Sequence, residues 1–348
     1  MDIKRYSSID AFRGIFALFV IFIHTPIPGA LGGALMPLMR IAVPFFFMVS
    51  GFFLWDNYDN VLLLKIKSQI KKIFKLVILS NVAFFLWELM TRIINNYNIF
   101  RYFIDTFTIK NLIKFLLLNE SPFAGHLWFL SALLYVLIID YLGVKYKIRK
   151  KILIIVPFLL LVDLLLGKYS ILILNKEFPY ILVRNFLFVG IPYFYIGNFI
   201  RDKLVKNSLN KINNKFILIA CIIFSITSIL EKLVLIINNK NAVRDHYLST
   251  TFLTLSIFIY LIKNYNIFKN SSMELIGRQY SLDIYIIHPI IISISNILIN
   301  HMGYYINIIY LYFSSLIIYF ITLLLVMLYK NSIERIKNIK NNNITFNT

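Results

Sequence analysis

Ten runs of apolar residues, each close to the length that crosses a bilayer and each bounded by polar punctuation, leave this chain very few folds. They lie at about 9–27, 35–55, 73–92, 126–143, 152–167, 180–200, 216–237, 247–262, 280–299 and 304–329. In hydrocarbon a spanning segment has to satisfy its own backbone N–H and C=O groups, so the runs predict helices. The expected fold is an all-α integral membrane protein, a bundle of about ten transmembrane helices. With 59% hydrophobic residues, the chain has too little polar surface to cover a soluble domain.

The net charge of +20 does not point to nucleic acid, because the basic residues form no single stripe. Two thirds of the 36 lysines and arginines fall in alternate loops: 1–8, 56–75, 144–151, 201–215, 263–279 and the tail from Lys330. Placing these loops inside satisfies the positive-inside rule and puts both termini in the cytoplasm. Residues 1–330 then form one transmembrane domain, and 331–348, with the run Asn341 to Asn343, a disordered cytoplasmic tail. The longest outward segment, 93–125, carries apolar residues at helical spacing between Thr106 and Glu120, which predicts an interfacial helix. PIPGALGGALMP, Pro26 to Pro37, reads as an outer loop. The single cysteine, Cys221, sits in an apolar run and reads as core; no metal cluster is expected.

Chemistry is expected among the spans. Arg13 and His24 lie eleven residues apart in IDAFRGIFALFVIFIH, which is three helical turns plus about 20°, so they share a face roughly 16 Å apart along the axis. Asp10 lies on the same stripe. Ionisable groups in a membrane helix are costly and mark functional sites by default. Counting rise from each span's entry gives two tiers. Asp10, Arg13, Ser50, Asp140 and Asp283 lie near the inner side; His24, Arg40, Glu88, His126 and Arg184 lie in the outer half; His288 lies between. Such tiers suggest paired charges lining a polar path.

Structural readings stand beside these. Asp10 and Arg13 also fit a same-helix pair, and His24 fits a hydrogen-bonded interface histidine. His126 fits an interfacial anchor beside Trp128, and His288-Pro289 a helix kink. Glu88 and Arg184 fit a structural pair. His246 and His301 read as solvated loop residues. Pro44 predicts a kink in the second span, and Ser50-Gly51 a close helix approach.

DAFRGIFALFVIFIH, with its Arg-x10-His spacing, resembles the signature of the acyltransferase 3 family of membrane acyltransferases. IAVPFFFMVSGFFL (41–54), HLWFLSALL (126–134) and YSLDIYIIHP (280–289) resemble further blocks of that family, in the same order. The resemblance implies an enzyme of the bacterial cytoplasmic membrane. It would move an acyl group, usually acetyl, from cytoplasmic acyl-CoA to a hydroxyl of an envelope glycan or lipid-linked sugar outside. His24 and Arg13 correspond to the motif histidine and arginine, His24 as base and Arg13 for donor placement. Lys71, Lys72, Lys75, Lys147, Arg149 and Lys150 are candidate contacts for the CoA phosphates, although inside topology alone also accounts for them. Membrane lipids, the acceptor glycan and a separate acyl-accepting protein are the expected partners. HTPIPGALGG and VPFFFMVSGFF are similar to the branch fused to racemases of vancomycin resistance. Without such a domain, a stand-alone transporter of serine-like amino acids is the rival function.

Overall fold

The computed structural model describes residues 5–242, 246–299 and 304–345. Among them there are helices and turns but no strand; the predicted spans fall largely on helices, except that 180–200 enters its α-helix only at Ile191, after a 3-10 turn at Tyr180–Leu182 and a π-helical turn. The first helices are α1 (Ser7–His24), α2 (Gly29–Met39) and α3 (Ala42–Phe53). PIPGALGGALMP is therefore largely helical, not a loop. Gly29, at φ 79°, makes the turn after α1, and the Ala, Leu and Met residues that follow are good helix formers. The expected kink falls at Arg40–Ile41, because Pro44 has no N–H to offer the Arg40 carbonyl.

Helix α4 (Asp59–Ile94) has 36 residues and is about 54 Å long, well beyond the hydrocarbon core. Its first half is the lysine-rich segment expected as a loop; Lys, Gln and Ile carry little helix penalty, so charge alone does not end it. Two helices, α5 (Ile99–Thr106) and α6 (Ile109–Leu118), stand where one interfacial helix was expected. Asn98 and Thr108 cap them, accepting the N–H groups of Arg101 at 2.9 Å and Asn111 at 3.2 Å.

Next come α7 (Trp128–Lys145), α8 (Arg149–Leu166), the short α9 (Ser170–Leu174) and α10 (Ile191–Val205), which a π-helical turn at Phe186–Gly190 leads into. Then follow α11 (Asn214–Ile237), α12 (Leu248–Lys263), α13 (Ser272–Gln279), α14 (Ser281–Ile299) and α15 (Tyr304–Thr345). The last helix continues through most of the segment read as a tail. Among the described residues seven segments are long and apolar enough to cross a membrane: α1, 29–53, α4, 125–145, α11, α14 and 306–335.

The chain forms two compact units. One comprises residues 1–39 and 264–348, the other 40–263. In the first unit, α1 packs on α13, α14 and α15. Its core contains Ala17, Ile21, Ile284, Ile291, Ile318 and Tyr319. The crossing of α1 and α13 is a glycine contact: a Cβ on Gly277 would lie 1.6 Å from the Asp10 carbonyl oxygen. In the second unit the core is aromatic, with Phe47 4.8 Å from Phe129 and Phe258 edge-on to Phe45 and Phe52. There α3 and α10 touch backbone to backbone. A Cβ on Gly51 would meet the Phe194 oxygen at 1.9 Å, and one on Gly197 the Met48 oxygen at 2.0 Å. The small residue at position 51 thus serves the close approach its sequence implied.

A branched side chain at this crossing has no room. Gly197→Val is expected to cost about 1–3 kcal/mol and to lower the thermal midpoint of the detergent-solubilised protein. Gly125→Ala, whose Cβ would meet nothing within 4 Å, leaves the midpoint unchanged.

Candidate active site

His24 ends α1 and is exposed. Its ring centroid lies 5.3 Å from that of His288, which is fully buried in α14. The local sequence explains how His288 is held. Pro289 interrupts the ladder of α14 because it cannot donate to the Tyr285 carbonyl. The Nδ1 of His288 lies 2.8 Å from that same oxygen and 3.2 Å from the Ile284 carbonyl. Since a carbonyl only accepts, Nδ1 carries the proton, and in the neutral ring Nε2 carries the lone pair. The end of α1 is pinned as well: Ser315 donates to the Thr25 carbonyl at 2.5 Å, and Thr25 Oγ1 caps the Ile21 carbonyl at 3.0 Å. An accessible imidazole backed by a buried one of fixed tautomer is an arrangement suited to proton transfer.

At the other end of α1, Arg13 Nη1 lies 3.3 Å from Asp10 Oδ1, so the same-helix pair exists. The cluster extends to three residues the sequence reading did not single out. Arg5 contacts Glu274 at 2.5 Å and Asp10 at 3.7 Å, and Ser7 donates to Glu274 at 3.1 Å. Glu274 is buried at the start of α13, where it also accepts the Asn270 N–H at 2.7 Å while Ser271 caps the Glu274 N–H at 3.3 Å. Ser271-x-x-Glu274 is a capping-box spacing and was the available signal. Asp283 pairs with Lys330 at 2.5 Å.

The second unit holds the other candidates. Ser50 donates to the Phe46 carbonyl, one turn back, at 2.9 Å. Arg40 is half-buried at the break before α3. His126 is buried with its ring 4.7 Å from Phe84, so it is a packed residue rather than an interfacial anchor. Glu88 pairs with Arg92 at 2.8 Å and not with Arg184, because one helical turn already places Arg92 beside it. Arg184 instead lies over the rings of Tyr180 at 4.3 Å and Trp128 at 5.4 Å.

Asp140, fully buried, takes a bidentate bond from Arg149 at 2.7 and 2.9 Å, and Arg149 also caps the Leu54 carbonyl at 3.1 Å. That guanidinium thus has a structural use the sequence did not reveal. Lys71, Lys72, Lys75, Lys147 and Lys150 are exposed. Nearby, Lys65 and the Tyr58 N–H hold the Asp56 carboxyl below the usual carboxylate range. His246 is not solvated: it is buried, with Nδ1 2.9 Å from Asp163. Buried Lys168 donates to the Ala242 carbonyl at 2.7 Å. No local signal joins Asp163 to His246 across 83 residues. His301 lies outside the described residues. Among the described residues no group of three His, Cys, Asp or Glu could hold a metal.

A helical bundle with apolar spans and a facing histidine pair is the frame of a multi-pass membrane enzyme. The chain belongs to the acyltransferase 3 family: the family's acyltransferase-domain model matches residues 6–330. A protein named as an amino-acid racemase from Enterococcus faecalis is 32% identical over 215 residues, 57% of this chain and 28% of the relative. The chain thus spans less than a third of that protein's length, in agreement with the racemase-linked branch that the sequence resembles. No solved structure matches.

The tautomer of His288 rests on one residue. Pro289→Ala restores a backbone donor to the Tyr285 carbonyl, and histidine-selective ¹⁵N spectroscopy should then change from the Nδ1–H form of His288 to a mixture of tautomers. An unchanged spectrum would mean that the proline does not set it.

Proposed function

We propose that this acyltransferase takes an acyl group, in the simplest case acetyl, from cytoplasmic acyl-CoA and delivers it to a hydroxyl of an extracytoplasmic envelope glycan or lipid-linked sugar. The observation that carries the reading is the facing pair of His24 and His288 within an acyltransferase 3 domain. The positive-inside distribution of the basic loops supports a cytoplasmic N-terminus, which would put His24 toward the outer side. The setting is the bacterial cytoplasmic membrane.

In the reaction, His24 removes the proton of the acceptor hydroxyl as its oxygen attacks the thioester carbon. The tetrahedral intermediate collapses, the carbon–sulfur bond breaks, and the imidazolium returns the proton to the CoA sulfur. His288 orients His24 through a ring nitrogen whose lone pair the Pro289 turn has exposed. Arg13, about 16 Å away along α1, is too far to serve the same carbon and instead places the donor, with Asp10 and Glu274 fixing its cluster. Lys71, Lys72, Lys75, Lys147 and Lys150 supply charge for the CoA phosphates; Arg149 holds the loop beside them. The rival reading, a serine-like transporter, calls for alternating access and an inverted repeat, and the sequence displays no such repeat.

The test is turnover of radiolabelled acetyl-CoA by the full chain in nanodiscs supplied with envelope glycan. His24→Ala is expected to lower transfer by about 10²–10⁴-fold while the protein stays folded. Arg13→Lys is expected to raise the KM for acyl-CoA, because a point charge does not reproduce the guanidinium fork. Full activity in either variant removes that residue from the mechanism.

A further inference from the structure

The second unit contains a cavity of about 550 Å³ that the chemistry above does not use. It opens where the C-terminal end of α4 meets α5, the start of α6 and the Pro122–Phe123 loop. On α4 it begins at Glu88, 13 residues or about 20 Å beyond Lys75, the last lysine of that helix. In the orientation proposed above, the cavity faces outward.

Its lining narrows the choice of ligand. Two acids and two bases face it, Glu88 with Arg92 at 2.8 Å and Arg101 with Asp105 at 3.7 Å. The charges cancel, so the site offers no excess of cations for a phosphate or CoA. Two separated carboxylates, each beside an arginine, are a poor cation site, and so polar a wall does not suit an acyl chain. What it offers is a dense set of planar donors and acceptors. Asn98 and Asn111 stand among the charged pairs, and the Tyr97 ring is exposed beside them. The floor is rigid: Tyr102 is buried under the Arg92 guanidinium at 4.4 Å, and Asn111 ties α6 to α5 by donating to the Asp105 and Thr106 carbonyls at 3.0 Å. A volume of this size fits one or two sugar rings, with hydroxyls on the charged fork groups and the C–H face of a ring on tyrosine.

We propose that this cavity is a docking site for a neutral sugar unit of the acceptor glycan, held by Arg101, Asp105 and Tyr97. The inference rests on the glycan-acceptor reading and specifies where the acceptor is recognised. These residues bind; none of them reacts.

The experiment uses the full chain in nanodiscs and, as probe, fluorescently end-labelled glycan fragments released from the envelope of cells that express the protein. Wild type, Tyr97→Ala, the double variant Arg101→Ala with Asp105→Ala, and Lys110→Ala are compared for fragment binding. The changed pocket residues are exposed, so the fold is expected to survive, and size-exclusion profiles check this. Wild type and the Lys110→Ala control should bind alike, whereas the two pocket variants should bind at least about tenfold more weakly. Pocket variants that bind as wild type does, or no fragment binding by wild type, overturn the proposal. Acetyl-CoA turnover with intact envelope glycan supplied as acceptor, measured in parallel, separates the two failures. His24-dependent turnover with no glycan binding leaves the acyltransferase reading standing and the docking site lost; glycan binding at the pocket without turnover does the reverse.

Discussion

A polar group left unpaired in hydrocarbon costs several kcal/mol, and that penalty decides where the chemistry of this protein can sit. Pro289 creates such a group by withholding a donor from the Tyr285 carbonyl, and the His288 side chain supplies it from within the same turn. One ring nitrogen is thereby fixed as donor and the other left with its lone pair, next to the exposed His24 at the end of α1. The buried acids obey the same constraint. Asp140 has both oxygens on Arg149, and Glu274 collects Arg5, Ser7 and the Asn270 N–H. Breaking such a pair on one side leaves an uncompensated charge, whereas the intact pair locks two segments together.

The helices that bring these groups into place rely on absent side chains as much as on present ones. Gly277 lets α13 lie against the backbone of α1 at Asp10, which puts Glu274 within reach of Arg5. Gly51 and Gly197 do the same for α3 and α10, and Leu54, just past the end of α3, receives Arg149. Association of helices in lipid depends on this kind of close packing, because burial of apolar surface gives little advantage there.

Much of this was legible in the sequence, for reasons that are local. Apolar runs located the seven segments that are long and apolar enough to cross a membrane, and the eleven-residue interval put Arg13 and His24 on one face of α1. Legibility failed where partners come from different helices. His288 was visible as a histidine before a proline, but its position against His24 was not, since the two lie near opposite ends of the chain. His246 looked like a loop residue because nothing near it announces Asp163. Glu88 was assigned to Arg184 by depth, when the residue one turn along its own helix was the nearer base. Helix α4 ran through a segment read as a loop because lysine marks the side of the membrane without ending a helix.

The account stands on His24 and His288 acting as one unit, and a double-mutant cycle on kcat/KM for acyl transfer addresses that directly. Residues that work together show strongly non-additive losses. The variant lacking both imidazoles, His24→Ala with His288→Ala, is expected to be no slower than the slower single variant. If the two single losses multiply instead, the histidines act independently, and the proton-transfer role assigned to the pair is wrong.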